Sequence, residues 1–511
     1  MNLLRCALAA SAFVIVSGTH ASAEWRPPDL RPTSASQTEV LATYAKAAGV
    51  VERRFAERRE RWTYVNGSRR LPVQVTVRGA DFRAALALGT AQYSAGRSDG
   101  VRWRADANGI THATLSDDQG DAVDRLPQSI FPFPTTDCEL AGESNRFGAA
   151  WVLADRAPRD KPHWFYVDKA NGTIEHEITR EGARTVVTTF DRFEPVGGAR
   201  RPQHWRVSDG DAANDLDVTV DSIVPEALGE VDVAIPQLRR TFAAIPLESG
   251  AVRLPAFFMR SRIVVDVDLD GQHAPFILDT GTASITLDRR VAERRGWSPV
   301  LEHATVPQMR VGALTLSDVS TLAIPMGPPG ILGYDFFAGH VVHIDYAHGT
   351  VEVLTPEAAR SAFADPGNAV MAAYFDEGIP LVRAAFGSAS GDRFVLDSGS
   401  PSLYVLEPFA RKYAGEIAAH WSPATFPGGR TQLESQYLEG SIVVNARRAA
   451  LFGFGPWLFE NVVVGVQDQN SRPDGLDMLF DGIVGTDEMA AFEWWFDYDG
   501  GRIAMRRNSV R

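Results

Sequence analysis

The chain has 511 residues, 45% of them hydrophobic and 23% charged, and a formal charge of −13. That composition excludes a disordered, collagen-like or coiled-coil chain. The acidic balance argues against a nucleic-acid partner, which would need a basic footprint. The only two cysteines, Cys6 and Cys138, exclude a four-cysteine zinc site.

The N-terminus reads as an export signal over residues 1–23. Arg5 precedes an apolar run from Cys6 to Val16, and Ala21-Ser22-Ala23 has the small-x-small form of a cleavage site before Glu24. The run is too short to span a bilayer, and no later stretch is long and apolar enough, so no stable membrane insertion is expected. The mature chain keeps one thiol and no internal disulfide. Four lysines among 51 basic residues suggest a GC-rich genome, which with the signal points to a bacterial periplasm, secretion being the alternative. The length suggests roughly three domains of ~150 residues.

Residues 24–35 form a polar, Pro-rich lead. Ser36-Gln37-Thr38-Glu39 is a capping box, and a helix is expected to run from there to about Arg61, its Glu52–Arg61 charge run forming a solvated face. Alternating strand patterns follow at Val73–Val77, Val101–Arg104, Ala150–Leu153, His163–Val167, Thr173–Ile178, Thr185–Phe190, His204–Val207 and Leu216–Val220. Turns such as Asn108-Gly109, Asn171-Gly172 and Gly197-Gly198 separate them. Residues 24–236 therefore predict a separate antiparallel β domain with a leading helix.

The order of its pieces is suggestive. Val101-Arg102-Trp103-Arg104 leads to Asn108-Gly109. Later Trp164-Phe165-Tyr166-Val167-Asp168 leads to Asn171-Gly172-Thr173-Ile174, then Phe190-Asp191-Arg192-Phe193 and Arg201-Pro202. This resembles the half-barrel of LolA/LolB-like periplasmic lipoprotein-sorting proteins; a generic antiparallel β domain is the alternative.

Residues 237–262 read as a linker or a first edge element, after which the sequence repeats. Phe276-Ile277-Leu278-Asp279-Thr280-Gly281-Thr282 returns as Phe394-Val395-Leu396-Asp397-Ser398-Gly399-Ser400. Gly330-Ile331-Leu332-Gly333-Tyr334-Asp335 returns as Gly482-Ile483-Val484-Gly485-Thr486-Asp487, and Ile344-Asp345-Tyr346 as Phe496-Asp497-Tyr498. Gly312–Val319 aligns with Gly455–Val462. Two Asp-Thr/Ser-Gly triplets, each ending an apolar strand and each followed by apolar-apolar-Gly, resemble the pepsin and retropepsin superfamily of aspartic proteases.

The resemblance implies a mainly β fold: two tandem retropepsin-like β-barrel lobes, at 263–355 and 371–511 with a linker at 356–370, forming a pseudo-dimer in one chain. It implies Asp279 and Asp397 as the catalytic pair, no cofactor, no metal, a peptide or protein substrate and a monomer. Two carboxyls a few ångströms apart share one proton, so a single pH supplies both a base and an acid for attack by water. Gly281 and Gly399 let the loops approach the dyad. The resemblance places the Thr280 and Ser398 hydroxyls across the pseudo-two-fold and those of Thr282 and Ser400 on the carboxylates. It places Ile331-Leu332-Gly333 and Ile483-Val484-Gly485 beneath the loops. A covering flap is expected in the second repeat at Phe426, Gly428 and Gly429, an ordinary surface loop being the alternative, while Leu301–Arg310 with Pro307 occupies the shorter interval in the first.

Asp345-Tyr346 and Asp497-Tyr498 read as turn residues, and Trp494-Trp495 as packing between the lobes. His340 and His343 lack the companions of a metal site. The main functional expectation is an exported aspartic endopeptidase; the alternative is an inactive protease-like protein that binds peptide or lipid.

Overall fold

The computed structural model describes residues 27, 29–67, 69–88, 91–114, 138–155, 163–181, 184–208, 210, 215–236, 250–259, 262–297, 299, 303–376, 378–437, 440–468 and 480–508. The expected export signal lies outside them. The chain is mainly β and divides into two compact units, one up to Leu238 and one from Arg239. No helix among the described residues is long and apolar enough to cross a membrane.

In the first unit α1 (Gln37–Ala48) starts where the capping box places it, with Ser36 Oγ accepting the Glu39 N–H at 3.2 Å. The helix stops at Gly49, whose φ of 74° ends it, and does not continue to Arg61. Residues from Glu57 onward instead begin a run of strands: β1 (Glu57–Asn66), β2 (Arg69–Arg78), β3 (Asp81–Leu88), β4 (Ala91–Ser98), β5 (Val101–Ala105), β6 (Thr111–Thr114) and β7 (Cys138–Ser144). They continue as β8 (Ala150–Asp155), β9 (His163–Asp168), β10 (Ile174–Glu181), β11 (Arg184–Val196), β12 (Ala199–Ser208) and β13 (Leu216–Pro225), followed by one helical turn, α2 (Glu230–Val233).

All thirteen strands form one sheet, ordered β6-β5-β4-β3-β2-β1-β13-β12-β11-β10-β9-β8-β7. The first strand thus pairs with the last, and β6 and β7 are the edges. The physical reason for strand rather than helix after Glu57 is the period of burial. Arg58, Glu60, Trp62 and Tyr64 alternate into the interior, a period of two. The charge run is therefore not a solvated face. The Glu60 carboxylate is 1% exposed at the residue level and accepts Arg58 Nε at 2.6 Å, two Arg201 nitrogens at 3.0 and 3.1 Å, and Trp62 Nε1 at 3.0 Å. Cys138 is buried.

The second unit takes in most of what reads as linker. Its strands begin with β14 (Ala251–Arg253), β15 (Ala256–Met259), β16 (Arg262–Leu269), β17 (Gln272–Leu278) and β18 (Thr286–Asp288). The helix α3 (Arg289–Arg294) then precedes β19 (His303–Val311), β20 (Leu314–Ile324) and β21 (Gly330–Leu332). After α4 (Tyr334–Phe337) come β22 (Val341–Asp345) and β23 (Thr350–Leu354). The segment read as a second linker carries α5 (Arg360–Ala364) and the start of β24 (Ala369–Ala372). β14, β15 and β24 each form the edge of a sheet.

The second repeat runs through β25 (Tyr374–Asp376), β26 (Ile379–Phe386), β27 (Ala389–Leu396) and β28 (Tyr404–Val405), then α6 (Glu407–Lys412) and α7 (Ala414–His420). It continues with β29 (Ser422–Pro423), β30 (Gln432–Tyr437), β31 (Gly440–Phe454), β32 (Trp457–Gln467) and β33 (Gly482–Val484). It ends with α8 (Thr486–Met489), β34 (Phe492–Asp497) and β35 (Arg502–Arg507).

The internal repeat is visible as topology. The first repeat forms a sheet ordered β15-β16-β17-β21-β18-β20-β19, with β16 also pairing β19. The second has the same order, β25-β26-β27-β33-β28-β32-β31, with β26 also pairing β31 and with β29 and β30 added on β31. A third sheet, β14-β23-β22-β34-β35-β24, is shared by both. In it β22 and β34 run antiparallel with His343 opposite Trp495, Val341 opposite Asp497 and Asp345 opposite Glu493. His343 and Trp495 are equivalent positions in the repeat, so a local two-fold passes between them. The rings stack at 4.7 Å, and His343 is held between Glu352 and Glu493 at 3.0 and 2.9 Å. One continuous core, including Phe276, Phe336, Phe394, Phe452 and Trp494, spans both repeats.

The Glu60 cluster generates a stability test. Burial alone would raise its pKa, but the Arg201 and Arg58 guanidiniums outweigh burial and hold it below the ordinary glutamate range. The stability it contributes is present above the unfolded-state value and is lost as pH falls through the depressed one. Glu60→Gln leaves two buried guanidiniums uncompensated and should cost about 3–5 kcal/mol in urea unfolding of the first unit near neutrality. The variant should also lose part of the wild type's acid sensitivity. Coincident unfolding midpoints at pH 7 would remove this account.

Candidate active site

Asp279 and Asp397 sit at the ends of equivalent strands. Each strand is pinned from the side by the apolar-apolar-Gly segment: β17 runs parallel to β21, with Leu278 opposite Leu332, and β27 parallel to β33, with Leu396 opposite Val484. Asp279 N–H donates to Leu332 O at 3.0 Å and Asp397 N–H to Val484 O at 3.0 Å. Beyond each aspartate the loop is tied to the helix after Gly333 or Gly485. Tyr334 N–H donates to Thr282 O and Thr486 N–H to Ser400 O, both at 2.8 Å. Ile331-Leu332-Gly333 and Ile483-Val484-Gly485 thus support the loops through strand pairing and backbone bonds.

The loops meet across the two-fold through a reciprocal exchange of hydroxyls. Thr280 Oγ1 donates to Leu396 O at 2.6 Å and accepts the Ser398 N–H at 3.0 Å. Ser398 Oγ donates to Leu278 O at 2.9 Å and accepts the Thr280 N–H at 3.0 Å. Both side chains are buried, Ser398 completely.

That exchange sets each carboxyl against the other loop's glycine. A Cβ added to Gly281 would lie 2.6 Å from Asp397 Cγ, and one added to Gly399 would lie 2.5 Å from Asp279 Cγ, closer than non-bonded atoms allow. Only glycine permits this approach.

Hydrogen bonding around the pair is unequal. Asp279 accepts the Gly281 N–H at 2.8 Å and the Thr282 hydroxyl at 2.9 Å. Asp397 accepts the Gly399 N–H at 2.7 Å and, from Ser400, the backbone N–H at 2.9 Å. The expected second hydroxyl bond is replaced by a main-chain one. Burial, then the Asp279 charge, push the Asp397 carboxyl well above the ordinary aspartate range, against the pull of the two N–H groups. The arrangement favours one retained proton on the pair.

The residues proposed as a flap occupy a tight loop between β29 and β30. Phe426 N–H donates to Arg430 O at 2.8 Å and Gly429 N–H to Phe426 O at 3.0 Å. Phe426 is buried, while Gly428 and Gly429 are exposed with φ of 87° and 77°. The next hairpin, β30–β31, is paired out to Tyr437 and Gly440 and is one of the additions that distinguish the second repeat. In the first repeat, residues 303–310 are committed to β19, whose pairing with β20 skips Pro307; Leu301 lies outside the described residues.

Asp345 and Asp497 do serve turns, accepting His348 N–H at 3.1 Å and Gly500 N–H at 2.9 Å. Tyr346 and Tyr498 lie in the same turns, and burial and the Asp279 charge act on both phenols. Their recurrence beside a repeated aspartate is the signal that marks them. Trp494 and Trp495 are buried in the strand that joins the repeats. His340 is buried with Nδ1 3.1 Å from Ala338 O. No group of three or more potential metal ligands occurs among the described residues.

The hydroxyl exchange makes a prediction. Thr280→Val strands the buried Ser398 N–H and Leu396 carbonyl, and Ser398→Ala strands the Thr280 N–H and Leu278 carbonyl. Each should cost about 1–3 kcal/mol. The double variant should lose less than the sum of the singles, because the four bonds form one network. Strict additivity in chemical unfolding would show two independent contacts.

No family model matches the chain, and no curated protein does either. Among solved structures, a LolA-superfamily protein from Nitrosomonas europaea is similar at 10% identity and a TM-score of 0.29, covering 39% of this chain and 98% of that one. The aspartic proteinase from Irpex lacteus is similar at 11% identity and a TM-score of 0.31, covering 51% and 98%. The basic 7S globulin from soybean is similar at 12% identity and a TM-score of 0.32, covering 51% and 96%. Likenesses this distant establish no function.

Proposed function

We propose that the second unit is an aspartic-type endopeptidase built as two retropepsin-like repeats, carried by an exported, periplasmic protein. The observation that carries this reading is the pair Asp279 and Asp397: each lies against the other loop's glycine, and burial with the neighbouring charge favours one proton on them.

Chemically, the dyad suits attack by water on a peptide carbonyl. The ionised carboxylate takes a proton from the water as its oxygen bonds to the carbonyl carbon, and the protonated partner gives its proton to the carbonyl oxygen. Collapse of the tetrahedral diol passes a proton to the leaving amine. Neither aspartate bonds to substrate, and no cofactor takes part. Thr282 donates to Asp279, and a donor there favours the ionised form of the pair.

A second reading is a periplasmic binding or sorting protein whose dyad is idle. Its support is the first unit, where one thirteen-stranded sheet ends in edges, β6 and β7, with no further partner strand among the described residues. The two readings separate on one comparison. Asp279→Asn and Asp397→Asn should each lower kcat for peptide hydrolysis roughly 10³-fold or more with the fold intact. The double variant should be no worse than either single, since the pair acts as a unit. Near-full activity in either single variant would sink the peptidase reading. A wild-type protein that hydrolyses no peptide but co-purifies with lipid or peptide would favour the binding reading.

The pH dependence has a definite sign. Rising pH removes the proton that Asp397 retains, so activity should fall on that side, and the optimum should lie in acid. Thr282→Ala withdraws a donor from the ionised carboxylate and should move the acid limb of kcat/KM to higher pH.

A further inference from the structure

Just after the apolar-apolar-Gly segments the two repeats place different side chains at one equivalent position. Tyr334 opens α4 in the first repeat, and Thr486 opens α8 in the second. Both donate a backbone N–H at 2.8 Å to the loop that carries an aspartate, Tyr334 to Thr282 O and Thr486 to Ser400 O. Their side chains differ. Thr486 is small and completely buried. The Tyr334 ring instead reaches residues of the second repeat. It packs on Tyr498 at 5.3 Å. It also meets the turn between β25 and β26, where a Cβ added to Gly378 would lie 2.0 Å from Tyr334 Cγ. Gly378 has a φ of 82°, so backbone conformation and the ring both require glycine there.

The start of α4 is bound tightly to the Thr282 loop. A Cβ on Gly333 would lie 2.4 Å from Thr282 O and 2.6 Å from Ser284 O. Besides the Tyr334 bond, the Asp335 N–H donates to Ala283 O at 3.2 Å, and the Asp335 carboxylate accepts the Ile285 N–H at 3.3 Å. These contacts leave the loop little room to move apart from the helix, so a shift of Tyr334 is passed to Thr282. Thr282 in turn places its hydroxyl 2.9 Å from Asp279. In the second repeat, where Thr486 stands in place of the tyrosine, Asp397 takes a backbone N–H from Ser400. The repeat whose loop support reaches across to its partner is the one whose hydroxyl reaches its carboxyl.

We propose that Tyr334 is a positioning residue for the dyad: its ring, seated against Gly378 and Tyr498 of the second repeat, holds the Thr282 hydroxyl on Asp279. The hydrogen bonding of one carboxyl then depends on how the two repeats are seated on each other. This inference rests on the peptidase reading for its purpose. It does not rest on that reading for its test.

The test uses the full chain with Tyr334→Phe, Tyr334→Leu, Gly378→Ala, Thr282→Ala, and Tyr334→Leu combined with Thr282→Ala. Two readouts are taken: the pH profile of kcat/KM on a peptide substrate, and the titration of the dyad carboxyls by carbon-13 NMR. Tyr334→Leu loses the ring and should raise the lower apparent pKa of the dyad by roughly 0.5 unit, the direction expected of Thr282→Ala. The acid limb of the activity profile should move with it. The combined variant should shift no further than Thr282→Ala alone, since Tyr334 acts through that hydroxyl. Tyr334→Phe keeps the ring and should titrate as the wild type does. Gly378→Ala drives a methyl into the ring from the other repeat. It should reproduce the Tyr334→Leu shift with every residue of the first repeat unchanged. A combined variant that shifts by the sum of the singles would overturn the proposal. So would a titration unmoved in Tyr334→Leu or Gly378→Ala, or one moved as far by Tyr334→Phe as by Tyr334→Leu. An activity loss equal at every pH would mark a merely structural residue. If the wild type hydrolyses no peptide, the peptidase reading fails, and the NMR titration still decides whether Tyr334 acts on the carboxyls.

Discussion

The hydroxyl exchange between Thr280 and Ser398 fixes the approach of two carboxyls that would separate if left to themselves. Carboxyls held this close cannot both ionise without a large penalty, so the protein must either spread the pair or hold a proton on it. Each loop here is locked to the carbonyl behind the other's aspartate, through Leu278 and Leu396. Those carbonyls belong to strands already pinned by β21 and β33. Spreading the carboxyls would break buried bonds on both sides at once. Retaining one proton is the cheaper solution, and it is also the state that water attack needs.

The shared sheet does at the level of architecture what the hydroxyls do at the level of atoms. With His343 opposite Trp495, the register of β22 against β34 sets the local two-fold. A slip of one residue would exchange the faces of both strands. His343 resists such a slip from the first repeat, held between Glu352 on its own side and Glu493 on the other. Arg506 completes the arrangement, reaching Glu493 and lying over Trp495. The symmetry is also broken beside the two carboxyls, where Thr282 offers a hydroxyl and Ser400 a backbone N–H. That difference gives an otherwise symmetric pair two unequal carboxyls.

Much of this was legible in the sequence because duplication doubles every signal. A lone Asp-Thr-Gly is an ordinary turn, but two of them at the ends of matched strands locate Asp279, Asp397 and the glycines. The strands of the first unit were legible for a simpler reason, since Val73, Val75 and Val77 alternate as a half-buried strand must. Three features were not. The helix after Ser36 ends at Gly49 because the residues beyond it bury with a period of two, which a dense run of arginine and glutamate conceals. Glu60 looks solvated until Arg201, distant in the chain, is folded onto it. Tyr346 and Tyr498 lie in turns as read, but the surroundings of their rings come from Phe258 and Phe375, far from them in the chain. Each depends on contacts between residues far apart in the chain, which local pattern does not encode.

The two units respond to pH with opposite signs, and the opposition bounds the conditions in which the whole chain works. The dyad binds a proton more tightly folded than unfolded, so its contribution to stability is present in acid and lost as pH rises through the raised Asp397 value. Glu60 must stay ionised to compensate Arg58 and Arg201, so its contribution is lost as pH falls through its depressed value. Acid that keeps the dyad protonated therefore eventually dissolves the ion cluster of the first unit. The Arg201 and Arg58 guanidiniums, by holding the Glu60 value low, push that loss to lower pH.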